Sequence, residues 1–331
     1  KNCLMAEGEA PQLTNGLLVR FVGRNKIRDG FLTSFVWCFL ALVTVGLIPL
    51  YWIIRAKQVR KGQGWAATFY QIFGWGTRAA CVEDCQLPSP APKSSPDNIS
   101  FAFITDTHCL HARLDIPDTD VIIHAGDFSN HGSKAEVETF ARWFTSLPHR
   151  HKILIPGNHD MIMDQEYFAS YWSDWGVKKE TLADDIWTGV HVLVDSMVEI
   201  EGVRVYGSPW VPKYAEWRTA FNKPLDELEE VWARIPAKNH ADGGIDILVT
   251  HSPPHGILDM EPLGAHAGCR ILATHVAERI QPKYHLFGHV HSDHGMIKVG
   301  GVTYCNAAAV TDFYSVRKDC AIQFSFPRKE P

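Results

Sequence analysis

The stretch Ile155-Pro-Gly-Asn-His-Asp160, IPGNHD, decides how this chain is read. It follows His151-Lys-Ile-Leu154, a run of strand character, and delivers an amide, an imidazole and a carboxylate in consecutive positions. Pro-Gly-Asn alone is ordinary turn chemistry. What sets it apart is recurrence. Four more apolar runs feed ligand-type residues into the turn just after them. FAFITDTH ends with Asp106 and His108, and VIIHAGDFSN with Asp127 and Asn130. DILVTHSPPH ends with His251, and YHLFGHVH with His289 and His291.

From residue 99 onward β-like runs alternate with helical stretches: ISFAFI, DVIIH, KILIP, VHVLV, VRVYGS, DILVT, YHLFG and VTYCN. Ser133 and Glu136 form a capping box ahead of VETFARWFTSL, which predicts a helix there. Further helices are predicted over Pro224–Arg234 and Arg270–Ile280. This order suggests a layered α/β domain. Sites in open α/β sheets form at the carboxyl ends of strands, where the five loops can converge.

The side chains suit one another chemically. Asp106, His108, Asp127, Asn158, His251, His289 and His291 make a mixed nitrogen and oxygen set. Such a set fits Mn, Fe or Zn better than Ca or Mg alone. Seven ligands are too many for one ion and about right for two. A carboxylate must then bridge, and Asp127 lies between the two groups in sequence.

The ordered motifs Asp106-Thr-His108, Gly126-Asp127-Phe-Ser-Asn130, Gly157-Asn-His-Asp160, Thr250-His251 and Gly288-His-Val-His291 resemble those of calcineurin-like metallophosphoesterases. The nearer resemblance is to the metallophosphoesterase-domain-containing proteins of the vertebrate brain and their microbial relatives. It rests on IIHAGDFSN, LPHRHKILIPGNHD, VYGSPWVP, VTHSPPHG and QPKYHLFGHVHSDHG, and it covers roughly residues 99 to 317. The resemblance implies a four-layer α/β/β/α sandwich with two divalent metal ions between the sheets. One ion would be held by Asp106, His108, Asp127 and His291, the other by Asp127, Asn158, His251 and His289. His159 would face the phosphate or leaving oxygen, oriented by Asp160.

Two cations about 3.5–4 Å apart can clamp an in-line displacement and lower the pKa of a bridging water, whose hydroxide would attack phosphorus. His159 would donate to the leaving oxygen. The expected activity is hydrolysis of a small phosphoester. Diesters are favoured over monoesters, and cyclic nucleotides are candidates on the strength of the resemblance. The rival reading is a catalytically weak scaffold or nucleotide-binding protein on the same fold. The full ligand set favours the enzyme, because a decayed site should have lost a member. Trp210, Tyr214 and Trp217 share a loop where an aromatic ring can stack on a base or simply pack locally. Asn130 is read as holding a ligand or capping its loop, and His255 and His294 as non-ligands.

The 331 residues are 46% hydrophobic and 21% charged, with net charge −5. No basic tail or groove appears, so long nucleic acid is not an expected partner. The eight Cys form no Cys-x-x-Cys pair, which argues against a zinc ribbon.

Residues 31–54, FLTSFVWCFLALVTVGLIPLYWII, carry no charge and are long enough to span a bilayer core of about 30 Å as a helix. The expected organisation is therefore an N-terminal segment (1–30), a transmembrane helix (31–54), a basic and aromatic juxtamembrane stretch with a Pro/Ser linker (55–98), and the catalytic domain (99–331). Basic residues flank the span on both sides, so charge does not set its orientation. Unpatterned Cys and a single sequon, Asn98-Ile-Ser100, favour a single-pass protein with a cytosolic catalytic domain. The sequence begins at Lys1 rather than Met, which is expected of a fragment or an incomplete gene product, with Met5 a possible start.

Overall fold

The computed structural model describes the backbone of Val82–Glu83, and residues 95, 97–213, 219–241 and 243–328. The expected membrane run 31–54, the segment 1–30 and the aromatic stretch 64–76 lie outside the described residues. Among the described residues no helix is long and apolar enough to cross a membrane.

Two sheets make the frame. One runs in the order β1 (Val82–Glu83), β12 (Gly295–Val299), β13 (Val302–Asn306), β11 (Tyr284–Phe287), β10 (Ile247–Thr250), β7 (Val203–Ser208) and β6 (Ser196–Ile200). The other runs β14 (Ile322–Pro327), β2 (Asn98–Ile104), β3 (Val121–His124), β4 (His151–Leu154) and β5 (His191–Val192). A short pair, β8 (Val211–Pro212) and β9 (Asn222–Lys223), stands apart. The helices are α1 (Lys134–Ser146), α2 (Gln165–Tyr171), α3 (Leu225–Ala233) and α4 (Arg270–His275), the last continuing as a π-type turn.

Alternation along the strands explains the layering. In β2, Phe101 and Phe103 point to the other sheet, where they share a core with Val205, Val249 and Leu286. Ala102 and Ile104 point the opposite way, onto Val137, Phe140 and Phe144 of α1. In the other sheet, Leu248 and Phe287 face Leu228 and Trp232 of α3 and Leu272 of α4. Both faces of the central strands are buried, as parallel strands require. Helix, sheet, sheet and helix therefore follow one another in a mixed α/β arrangement.

Strands β2, β3 and β4 are mutually parallel, and so are β7, β10, β11 and β13. Their carboxyl ends gather at one edge. There the sheets are stitched by main chain: Thr105 N–H donates to the Ala307 carbonyl at 3.3 Å, and Ala309 N–H to the Thr105 carbonyl at 2.8 Å.

The predicted helices are present. Ser133 and Glu136 cap α1 reciprocally, and Pro224 is the N-cap of α3. VHVLV yields only the two-residue β5. Among the described residues six strands and one helix go beyond the sequence reading: β1, β6, β8, β9, β12, β14 and α2. Strand β14 did carry a signal, because Ile322, Phe324 and Phe326 alternate inward. Strands β6 and β12 are half-exposed and mix polar with apolar residues, which leaves the pattern weak.

Two histidines are buried in the strands behind the loops. His124 Nδ1 accepts from Gly126 N–H at 3.1 Å, so its Nε2–H donates to Thr107 Oγ1, also at 3.1 Å. His285 Nε2–H donates to Thr250 Oγ1 at 2.8 Å, while that hydroxyl donates to the Ser252 carbonyl. Both must be neutral, and burial pushes both from 6.5 down to about 3. The unfolded chain takes up these protons at higher pH than the folded one. Stability is thus fully present above pH 6.5 and is lost as pH falls towards 3. Each histidine should contribute a loss of about 1.4 kcal/mol per pH unit below 6.5. Urea unfolding between pH 7 and 5 should show this slope, and His124→Gln or His285→Gln should each reduce it. An unchanged slope in both variants would contradict the assignment.

Candidate metal centre

Three of the five strand ends, those of β2, β3 and β11, deliver ligand residues through a backbone that turns abruptly. Asp106 (φ 52), His108 (φ 40), Asp127 (φ 54) and His289 (φ 70) all lie in the left-handed region that non-glycine residues avoid. Such strain costs on the order of 1–3 kcal/mol per residue and persists only where the surroundings impose it. Glycines make the room. A Cβ on Gly157 would run into Asp127 and the His251 ring, and one on Gly288 into Asp106 and Thr105.

Asp127 is the junction. Its Oδ1 accepts His159 N–H at 2.8 Å. Its Oδ2 lies 3.2 Å from His251 Nε2 and 3.8 Å from His108 Nε2. Two groups of ligand atoms form around it. Asp106, His108 and His291 make one, and Asp127, His251 and His289 the other, each with its ligand atoms within 4.8 Å of one another. Asn158 Oδ1 adjoins the second group, 3.0 Å from His251 Nε2. All seven residues proposed as ligands from sequence are thus brought to one place.

The donors fit a cation. His251 Nδ1–H donates to the Ala125 carbonyl at 2.8 Å, which leaves the Nε2 lone pair facing Asp127 and Asn158. Three acceptor atoms can converge only around a proton or a metal. Where a proton serves, burial opposes it, but the Asp127 carboxylate outweighs burial and lifts His251 to about 9. On the other side His108 Nε2 and His291 Nε2 meet at 3.1 Å. Burial drives His108 down to about 4, while the Asp106 carboxylate overrides burial and raises His291. Burial alone would raise Asp106, yet the hydrogen bond and charge of His291 hold it down to about 2. His289 is driven by burial to about 4, so its neutral ring is available as a ligand. Its main-chain N–H donates to both Asp106 oxygens at 3.0 Å.

His159 and Asp160 differ from expectation in how they are paired. His159 Nδ1–H donates to the Asn130 carbonyl at 2.8 Å, so that carbonyl, not Asp160, orients the ring. Asp160 is fully buried and already saturated. Its Oδ2 accepts Asp127 N–H and Gly157 N–H, each at 2.8 Å. Its Oδ1 accepts Ser129 N–H at 3.0 Å and Ser129 Oγ–H at 2.6 Å. Asp160 therefore ties the Gly126-Asp127 turn to the Gly157-Asn158 turn. Asn130 acts through its main chain, a role that side-chain identity does not reveal. Ser129 acts through both its main-chain N–H and its hydroxyl, and its place in the Gly-Asp motif is the one signal the sequence holds for it.

The centre floors a cleft of about 640 Å³ lined in part by Asn158, His159, Val211, Glu261, Asp312 and Tyr314. Tyr314 was not anticipated from sequence. Trp210 does not line the cleft: its indole donates to Asp195 at 2.7 Å, and its ring packs on Phe221. Tyr214 and Trp217 lie outside the described residues. His255 and His294 belong to neither ligand group.

The calcineurin-like phosphoesterase family profile matches residues 99–293. Metallophosphoesterase domain-containing protein 1 of Homo sapiens is 36% identical over 290 residues, covering 83% of this chain and 86% of that protein, and the Mus musculus protein matches equally. A UPF0046 protein of Caenorhabditis elegans is 37% identical over 237 residues, covering 68% of this chain and 81% of its own length. With the ligand groups at the strand ends and these matches over most of its length, the chain belongs to the calcineurin-like phosphoesterase family.

Proposed function

We propose that this protein is a dinuclear-metal phosphoester hydrolase with a preference for small phosphodiesters, tethered to a membrane through residues 31–54 with its catalytic domain in the cytosol. The observation that carries the dinuclear reading is the Asp127 carboxylate, whose Oδ2 adjoins His108 of one ligand group and His251 of the other. Mn, Fe and Zn suit the mixed donor set. When bound, such ions supply Lewis-acid polarisation of phosphoryl oxygens and a water acidified towards neutral pH. The cleft volume accommodates a phosphate bearing two substituents. Cyclic nucleotides are candidates carried over from the resemblance, and long nucleic acid is not expected in a chain of net charge −5.

The chain's own residues do the rest. Asp127 Oδ1 fixes the His159 main chain, so carboxylate and imidazole keep a constant separation. The Asn130 carbonyl accepts a hydrogen bond from His159 Nδ1–H, which leaves Nε2 for the cleft that His159 lines. As the imidazolium, Nε2–H can donate to the departing ester oxygen. Asp160 touches no substrate in this scheme. It is a positioning residue, holding the two ligand turns in register.

The full chain, stripped with chelator and reloaded with Mn²⁺, should hydrolyse an aryl phosphodiester faster than an aryl phosphomonoester. His159→Ala should keep its metal and lose about 10²–10⁴-fold in kcat, the usual contribution of a general acid. Asp127→Asn should lose both metal retention and turnover. Retention of both by Asp127→Asn would refute the shared-carboxylate assignment, and metal binding without turnover of either ester would favour the scaffold reading.

Asp160→Asn places an amide N–H₂ against at least one main-chain N–H donor. It should lower stability by about 1–3 kcal/mol and loosen metal retention. Denaturant midpoints and bound metal per chain measure the two effects. Wild-type values for both would exclude the bracing role.

A further inference from the structure

We propose that Tyr314 is a substrate-contacting residue whose phenol hydroxyl donates a hydrogen bond to a phosphoryl oxygen of the bound ester; this rests on the hydrolase reading above. Tyr314 lines the cleft. Its ring meets His108 edge-on at 4.9 Å between centroids and His291 at 5.8 Å. His159 meets the same His108 ring at 5.0 Å. The two side chains arrive from different loops, His159 after β4 and Tyr314 beyond β13, and both abut one imidazole of the metal centre.

The turn that carries Tyr314 is firmly built. Tyr314 N–H donates to the Thr311 carbonyl at 2.8 Å, and Thr311 N–H to the Ser315 carbonyl at 3.0 Å. Thr311 Oγ1 accepts from Phe313 N–H and Ser315 N–H, each at 3.3 Å. Val310 bridges Val316, and just beyond, the Arg317 guanidinium donates to the His291 carbonyl at 2.7 Å. The turn is thus anchored to a residue of the metal centre. Tyr314 is held there at φ 54, a conformation unusual for an aromatic residue.

Donor supply points the same way. A phosphodiester offers two non-bridging and two ester oxygens, and those turned from the metals need N–H or O–H partners. Among the described residues no Lys or Arg lines the cleft. Of the hydroxyls on the lining, that of Ser292 is committed to the Met260 carbonyl at 2.6 Å, which leaves those of Thr219 and Tyr314, and only Tyr314 abuts a ring of the metal centre. A phenol bears its proton at neutral pH and adds no charge.

The test uses the full Mn²⁺-loaded chain as wild type, Tyr314→Phe and Tyr314→Ala. Bound metal per chain, the Kd for dimethyl phosphate, and kcat and KM for an aryl phosphodiester are measured. Phe keeps the ring against His108 and removes only the hydroxyl. Tyr314→Phe should retain wild-type metal content and bind dimethyl phosphate about ten-fold more weakly, with KM raised to match, as loss of a hydrogen bond to a charged group implies. Phe within two-fold of wild type in both Kd and KM overturns the proposal. So does loss in Ala alone, which would assign the ring to packing. If wild type binds dimethyl phosphate without turning over the diester, and Phe weakens that binding, the contact stands and the hydrolase reading falls. Wild type showing neither binding nor turnover overturns both.

Discussion

The centre depends on one buried carboxylate, Asp160, and the four donors it gathers. It accepts from Asp127 N–H, Gly157 N–H and both donor groups of Ser129. Through those contacts the turns after β3 and β4 become one rigid piece. Asp127, and Asn158 which adjoins the same ligand group, are placed by that piece. Burial and the nearby Asp127 charge push the Asp160 carboxyl up to about 7, so two carboxylates sit close in a dry interior. Only dense hydrogen bonding makes such an arrangement tolerable. The energy of the fold is spent here on position rather than on apolar contact.

The sheets supply what the carboxylate cannot. Apolar residues on both faces of the central strands fix two rigid planes, and parallel strand order sends their ends to a common edge. The glycines at 157 and 288 then let carboxylates approach main chain where any Cβ would intrude. The left-handed conformations at Asp106, His108, Asp127 and His289 follow from the same crowding. After β2, β3 and β11 these turns bring the ligand residues to the shared edge.

What was legible in the sequence was the part written in side-chain type. Asp106, His108, Asp127, Asn158, His251, His289 and His291 each follow an apolar run, and strand periodicity placed most of those runs. What was not legible was the part carried by main chain. The Asn130 carbonyl orients His159, and nothing about an asparagine announces that. The resemblance implies that Asp160 orients His159, yet its carboxylate turns the other way, to donors 3 to 33 positions distant. Tyr314 reaches the site from a turn with no ligand motif, and β6 escaped notice because an exposed edge strand needs no apolar alternation.

Each ligand group draws on both sheets. Asp106 and His108 come from the loop after β2 but are completed by His291, and Asp127 is completed by His251 and His289. A chain emerging from the ribosome therefore carries two acidic half-sites once residue 160 is made, and cannot close either until residue 289 has been added. Neither ligand group exists, therefore, in any piece of the chain that ends before the loop after β11.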